Sequence, residues 1–182
     1  QSSGLFTGLA AGTYLIAVED ANGCTISETY TISQPDPLIL NNQVKHASCY
    51  GFNDGAILIS ASGGSSPYSY SIYDGNVYKS GASHSSLFAG NYTLIVTDNN
   101  NCEIRKDVSI LEPAEISASY VAYNPSCIGN NDGYIEINVI SGTRPYLFGW
   151  NGNYSDLPII SGLTEGNYDV IVTDSNNCVY HL

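Results

Sequence analysis

The sequence has no methionine, a single tryptophan, and only 5 Lys and Arg against 17 Asp and Glu. Each shortage excludes something. A net charge of −12 leaves little cationic surface to meet phosphates, which argues against nucleic acid as a partner and equally against an anionic membrane surface. No apolar run approaches the roughly 18 residues that cross a bilayer, so direct membrane insertion is not expected. No basic-then-apolar leader opens the chain. Without a methionine, the 182 residues read as a piece of something longer, and any export signal must lie outside them. Lys, Glu, Leu and Ala, the staples of helical proteins, are also sparse.

What is present points one way. Tyr (15) and Gly (18) are abundant. Tyr, Thr, Ile and Val suit half-buried pleated surfaces, and Gly, Asn, Asp and Ser suit tight turns. This is the composition of an all-β chain of many short strands. The acidity itself serves solubility and attracts cations. Five cysteines in such a chain indicate an oxidising compartment, although an odd number cannot all be paired internally.

Repetition organises the chain. The run Gly12-Thr13-Tyr14-Leu15-Ile16-Ala17-Val18-Glu19-Asp20-Ala21-Asn22-Gly23-Cys24 returns as Gly90-Asn91-Tyr92 through Asp98 to Cys102, and again as Gly166-Asn167-Tyr168 through Asp174 to Cys178. The cysteines of these runs are 78 and 76 residues apart. A second block, Ser48-Cys49-Tyr50-Gly51-Phe52-Asn53-Asp54-Gly55, returns 78 residues later as Ser126-Cys127-Ile128-Gly129-Asn130-Asn131-Asp132-Gly133. Gly64 with Pro67-Tyr68 matches Gly142 with Pro145-Tyr146, and Gln34-Pro35 matches Glu112-Pro113. The expected division is the tail of one module (1–36), a complete module (37–114) and a third module lacking its last strand (115–182). Short Pro-bearing junctions make semi-rigid spacers, so the modules should form an extended rod.

The complete module reads as about seven strands. They run over 38–45, 56–60, 68–73, one or two edge strands within 77–86, then 92–97 and 103–111. Alternation places Ile57 and Ile59, then Tyr68, Tyr70 and Ile72, then Tyr92, Leu94 and Val96 on dry faces. Asp54-Gly55, Asp132-Gly133 and Asp74-Gly75 read as turn dipeptides in which Gly supplies φ > 0. The expected fold is an immunoglobulin-like Greek-key β-sandwich. In such sandwiches a tyrosine corner precedes the penultimate strand, and the thrice-repeated Gly-x-Tyr assigns that role to Tyr14, Tyr92 and Tyr168.

The order Cys-x-Gly-x-x-Asp-Gly at 49–55 and 127–133, Gly-x-x-Pro-Tyr at 64–68 and 142–146, Gly-x-Tyr, and Thr-Asp-x-x-x-Cys resembles the SprB repeat family across essentially the whole chain. Ser141-Gly142 stands where the family usually has Gly-Gly, and Ile72 stands where Trp150 does. The family occurs in tandem in very large cell-surface proteins of Bacteroidota, among them a gliding-motility adhesin exported by type IX secretion. The resemblance implies secretion, display at the outer surface and a filament or adhesin role.

Three sets of residues could carry chemistry. Cys49, Cys102, Cys127 and Cys178 form two per-module pairs, Cys49 with Cys102 and Cys127 with Cys178, with the partner of Cys24 upstream. Each bond would close about 50 residues and contribute roughly 4 kcal/mol in the chain-entropy picture. Against this pairing, one cysteine follows the first strand and the other precedes the last, which places them roughly 25–30 Å apart. A disulfide needs Cα atoms within about 7 Å. The competing pairing joins Cys49 to Cys178 across the junction, and free thiols are the third reading. Zinc is disfavoured because no Cys-x-x-Cys and no repeated histidine is present. Asp20, Asp54, Asp98, Asp132 and Asp174 recur in acidic, Asn-rich turns and offer the oxygen ligands calcium prefers, though Asp and Asn are also ordinary turn residues. No other cofactor is required. Catalysis is not expected: His46, His84 and His181 occupy unrelated repeat positions, and no nucleophile elbow exists.

The functional expectation is a stalk or spacer segment of a secreted, surface-attached adhesin, with neighbouring modules of the same chain as first partners. The alternative is a module that binds surface polysaccharide or other cell-surface proteins through loops and exposed aromatics such as Tyr50, Phe52, Tyr73, Tyr78, Tyr123, Trp150 and Tyr154. The segments 77–86 and 153–160 differ between copies while core and turn residues match, which favours the spacer.

Overall fold

A computed structural model describes residues 4–182. Every regular element in it is a β-strand, and every strand pairing is antiparallel. Strands β1 (Gly12–Glu19) and β2 (Thr25–Ile32) form a two-stranded hairpin whose residues are almost all exposed.

The next seven strands are β3 (Ile39–Lys45), β4 (Gly55–Ser62), β5 (Ser69–Tyr73), β6 (Tyr78–Ser80), β7 (Ser83–Leu87), β8 (Gly90–Thr97) and β9 (Glu103–Ile110). They make a three-stranded sheet in the order β3-β4-β7 and a four-stranded sheet in the order β6-β5-β8-β9. One core lies between them. Leu40, Ile57, Ile59 and Leu87 from the first sheet meet Ile72, Tyr92, Leu94, Val96 and Ile110 from the second. The alternation read from the sequence supplies this core: Ile57, Ile59, Ile72, Leu94 and Val96 are each at most 2% exposed. The variable segment resolves into two short strands, β6 and β7, each on the edge of a different sheet. Brevity and polar side chains such as Lys79 suit an edge that must not recruit a neighbour.

Seven more strands repeat this arrangement. They are β10 (Ser117–Tyr123), β11 (Gly133–Ser141), β12 (Leu147–Trp150), β13 (Asn153–Ser155), β14 (Ile159–Leu163), β15 (Val170–Thr173) and β16 (Val179–His181). The sheets run β10-β11-β14 and β13-β12-β15-β16 around Ile116, Ile137, Phe148, Ile160, Leu163, Val170 and Val172. β16 has three residues where β9 has eight.

Two of the three Asp-Gly dipeptides depart from their expected role. Gly75 does have φ +94° and turns the β5–β6 hairpin. Gly55 and Gly133 are absent from the positive-φ residues and begin β4 and β11. They are glycine because of close approach. A Cβ on Gly55 would lie 2.8 Å from the Leu87 carbonyl oxygen and 2.9 Å from the Ile110 side chain, and one on Gly133 would lie 2.9 Å from the Leu163 carbonyl oxygen. Each sits at a register shift, between β4 and β7 or between β11 and β14, where the strand bends across its partner.

Candidate functional site

The site is built at the boundary between the two sandwiches, from loops at opposite ends of each. Consider first the loop between β8 and β9. Asp98 is 5% exposed, and its carboxylate accepts hydrogen bonds from the amides of Asn100 (2.9 Å), Cys102 (2.8 Å) and Ser65 (2.9 Å). The Ser65 amide, foremost among these, holds the Asp98 carboxyl below the usual carboxylate range. Asp174 repeats the arrangement with the amides of Asn176 (2.8 Å), Cys178 (3.0 Å) and Thr143 (3.3 Å). Asp20 keeps the local half, bonding the amides of Asn22 and Cys24, both at 2.9 Å. One carboxylate thus fixes the turn and positions the cysteine at its end.

The opposite end carries the other cysteine. The loop after β3 is cinched by Asp54, which accepts from the Ser48 amide at 2.9 Å and pairs with Lys45 at 3.2 Å. Asp132 accepts from the Ser126 amide at 3.0 Å. Both carboxyls are held below their ordinary range, Asp54 chiefly by the Ser48 amide and Asp132 chiefly by the Ser126 hydroxyl. The loop at 46–52 also docks on the far end of β9. The Leu111 amide donates to His46 Nδ1 at 3.0 Å, the Ala47 amide donates to the Leu111 carbonyl at 2.9 Å, and the Gly51 amide donates to Glu112 Oε2 at 2.7 Å.

These contacts place Cys49 beside the end of β9 and Cys102 just before its start. Eight residues of strand separate them by roughly 27 Å. The expected pairing of Cys49 with Cys102 and of Cys127 with Cys178 is therefore not the one formed. Cys49 is bonded to Cys178, with their Cα atoms 5.6 Å apart and 129 residues between them in sequence. Both half-cystines are buried, at 7% and 8% exposure, and both pack into the core cluster of the second sandwich. The first sandwich thus inserts the tip of its far loop into the near end of the second. Cys24, Cys102 and Cys127 are free and exposed.

The three repeated tyrosines share one geometry. The Tyr14 hydroxyl donates to the Ala10 carbonyl at 2.8 Å, Tyr92 to Phe88 at 2.9 Å and Tyr168 to Thr164 at 2.9 Å, each four residues back. This back-bond pins the crossing into the penultimate strand. Among the described residues, no three His, Cys, Asp or Glu side chains converge as a metal site, and the five acidic turn residues have at least one oxygen each engaged by backbone amides. The histidines are spread apart: His46 serves the junction, His84 bonds the Gly81 carbonyl at 2.8 Å, and His181 lies 3.4 Å from Asp169. The docking of Glu112 and His46 was missed in the sequence. Its signal is the recurrence of Gln34-Pro35 at Glu112-Pro113, a junction residue with a hydrogen-bonding side chain.

The fold and the staple together define a class: β-sandwich units in series, disulfide-bonded, of the kind that persists in an oxidising environment. Two segments of the chain, 41–77 and 119–154, match the model of the SprB repeat. Both matched segments hold the far-loop cysteine (Cys49 or Cys127) and stop before the near-loop cysteine (Cys102 or Cys178). Comparison with curated proteins finds no match. Among the described residues, no helix is long and apolar enough to cross a membrane.

Proposed function

We propose that this chain is a spacer segment in the filament of a surface-attached adhesin, of the gliding-motility type exported by type IX secretion. Its modules divide at 1–36, 37–114 and 115–182 and stand end to end as a rod. The observation that carries the reading is the Cys49–Cys178 bond: it fixes the orientation of one sandwich on the next, which a spacer needs and a freely jointed binding domain does not. The strand order and the back-bonded Tyr14, Tyr92 and Tyr168 support the immunoglobulin-like description. The role is non-catalytic. Small-angle scattering of the oxidised chain tests it: an elongated particle whose length falls when the disulfide is reduced supports the spacer, and a compact one refutes it. Deleting the segment from the parent protein should shorten the filament and leave glycan binding at its tip intact. The reading requires no cofactor, and a thermal melt with calcium against chelator tests whether the acidic turns hold the ion.

One observation favours the alternative, a carbohydrate- or surface-binding module. Trp150, Asn151, Tyr154 and Asp169 line a shallow cavity of about 250 Å³, and Tyr154 is 69% exposed. An aromatic wall with polar groups beside it suits a sugar ring. Titration of glycans against Trp150 fluorescence discriminates: saturable quenching supports binding here.

A further inference from the structure

The Cys49–Cys178 bond joins a far-loop cysteine to the near-loop cysteine of the sandwich that follows it. Cys102 is a near-loop cysteine and Cys127 a far-loop cysteine, and both are free. We propose that they are two open halves of the same staple. In the tandem protein, Cys102 bonds the far-loop cysteine of the preceding repeat and Cys127 bonds the near-loop cysteine of the following one, so that every junction carries a disulfide.

Three observations beyond the thiols themselves point to these partners. First, each free cysteine is held as its bonded counterpart is. The Cys102 amide bonds Asp98 at 2.8 Å as Cys178 bonds Asp174 at 3.0 Å. The Cys127 loop is tied by Asp132 to Ser126 at 3.0 Å as the Cys49 loop is tied by Asp54 to Ser48 at 2.9 Å. Second, the preceding chain arrives at the right place. The Gly64 amide donates to the Asp36 carbonyl at 2.7 Å, and Gly64 lies against Asp98, so the connection from the preceding repeat docks beside the Cys102 turn. Third, the Cys127 loop presents an unsatisfied apolar tip. Ile128 is 96% exposed, whereas its counterpart Tyr50, at the formed junction, is 51% exposed.

Forming each bond removes two protons and two electrons from two thiols. The acceptor is a protein disulfide of the exporting envelope. The Cys127 thiolate attacks one of its sulfurs and expels the other as thiolate. The thiolate of the neighbouring repeat then displaces the oxidant's sulfur, which leaves reduced as a dithiol.

The inference rests on the tandem arrangement proposed above and is independent of adhesion. The test compares thiol reactivity in two settings. In the 182-residue chain, Cys102 and Cys127 should be alkylated by a maleimide without reduction, while Cys49 and Cys178 are not. In the parent protein on intact cells, alkylated before lysis and digested without reduction, both should be unlabelled. Each should be recovered in a peptide cross-linked to a cysteine of an adjacent repeat. Labelling of either in the parent, or its recovery linked to a cysteine of its own repeat, overturns the proposal. Because the peptide map reads pairing alone, a parent that is cross-linked but does not adhere would refute only the adhesin reading.

Discussion

A single buried carboxylate organises each near loop, and its removal strands several amides at once. Asp98→Ala leaves the amides of Ser65, Asn100 and Cys102 without their acceptor, and a buried donor without a partner is costly. The melting midpoint of the first sandwich should fall by roughly 5 °C or more, whereas Asp20→Ala, on an exposed hairpin, should leave that midpoint unchanged. Calorimetry separates the two. The same bonds make stability depend on acid. Asp98 is held below its ordinary range, and Asp74 is lowered to about 2, chiefly by the Val77 and Asn76 amides. A depressed carboxyl contributes stability above its unfolded pKa of about 4 and loses it as pH falls through the folded value. Stability should therefore drop between about pH 4 and about pH 2, and the Asp74→Asn/Asp98→Asn variant should show a flatter acid limb in pH-dependent melts. At this scale the sequence was partly legible. The repeated Asp was visible at Asp20, Asp98 and Asp174, but not its engagement by Ser65 or Thr143, because the loops that donate those amides lie more than 30 residues away.

Strand boundaries were largely readable because the period-2 pattern is set by burial on one face, and Ile57, Ile59, Leu94 and Val96 obey it. Gly55 was misread because Asp-Gly is ambiguous in one dimension. The same dipeptide makes a turn at Gly75 and a close strand crossing at Gly55, and only the position of Leu87 and Ile110 decides. The crossing gives a prediction for the element. Gly55→Ala must push a Cβ against a carbonyl fixed in the β4–β7 ladder, and overpacking of this kind costs about 1–3 kcal/mol. Urea denaturation should show that loss. Gly133→Ala should show it in the second sandwich, where Trp150 reports directly.

Across the whole molecule the decisive feature is that cysteine pairing follows the junction and not the repeat. The 78-residue period invites pairing within each period; the poles of a sandwich forbid it. Cys49→Ser removes a bond that closes 129 residues, worth about 5 kcal/mol in the chain-entropy picture, and opens the packing of the second core. Its urea midpoint, followed by Trp150 emission, should fall well below that of the native chain. Cys102→Ser, at an exposed and unbonded position, should leave the midpoint where it was.

A load on the chain meets the same bond. Tension entering before residue 49 and leaving after residue 178 passes from one sulfur to the other and never reaches the polypeptide between them. Those 129 residues hold roughly 440 Å of extensible contour, locked away while the disulfide is intact. Single-molecule pulling of the oxidised chain should show no unfolding step from that stretch, and addition of a reductant should release it. A chain stapled this way keeps its length under load, and gives way only when the chemistry around it changes.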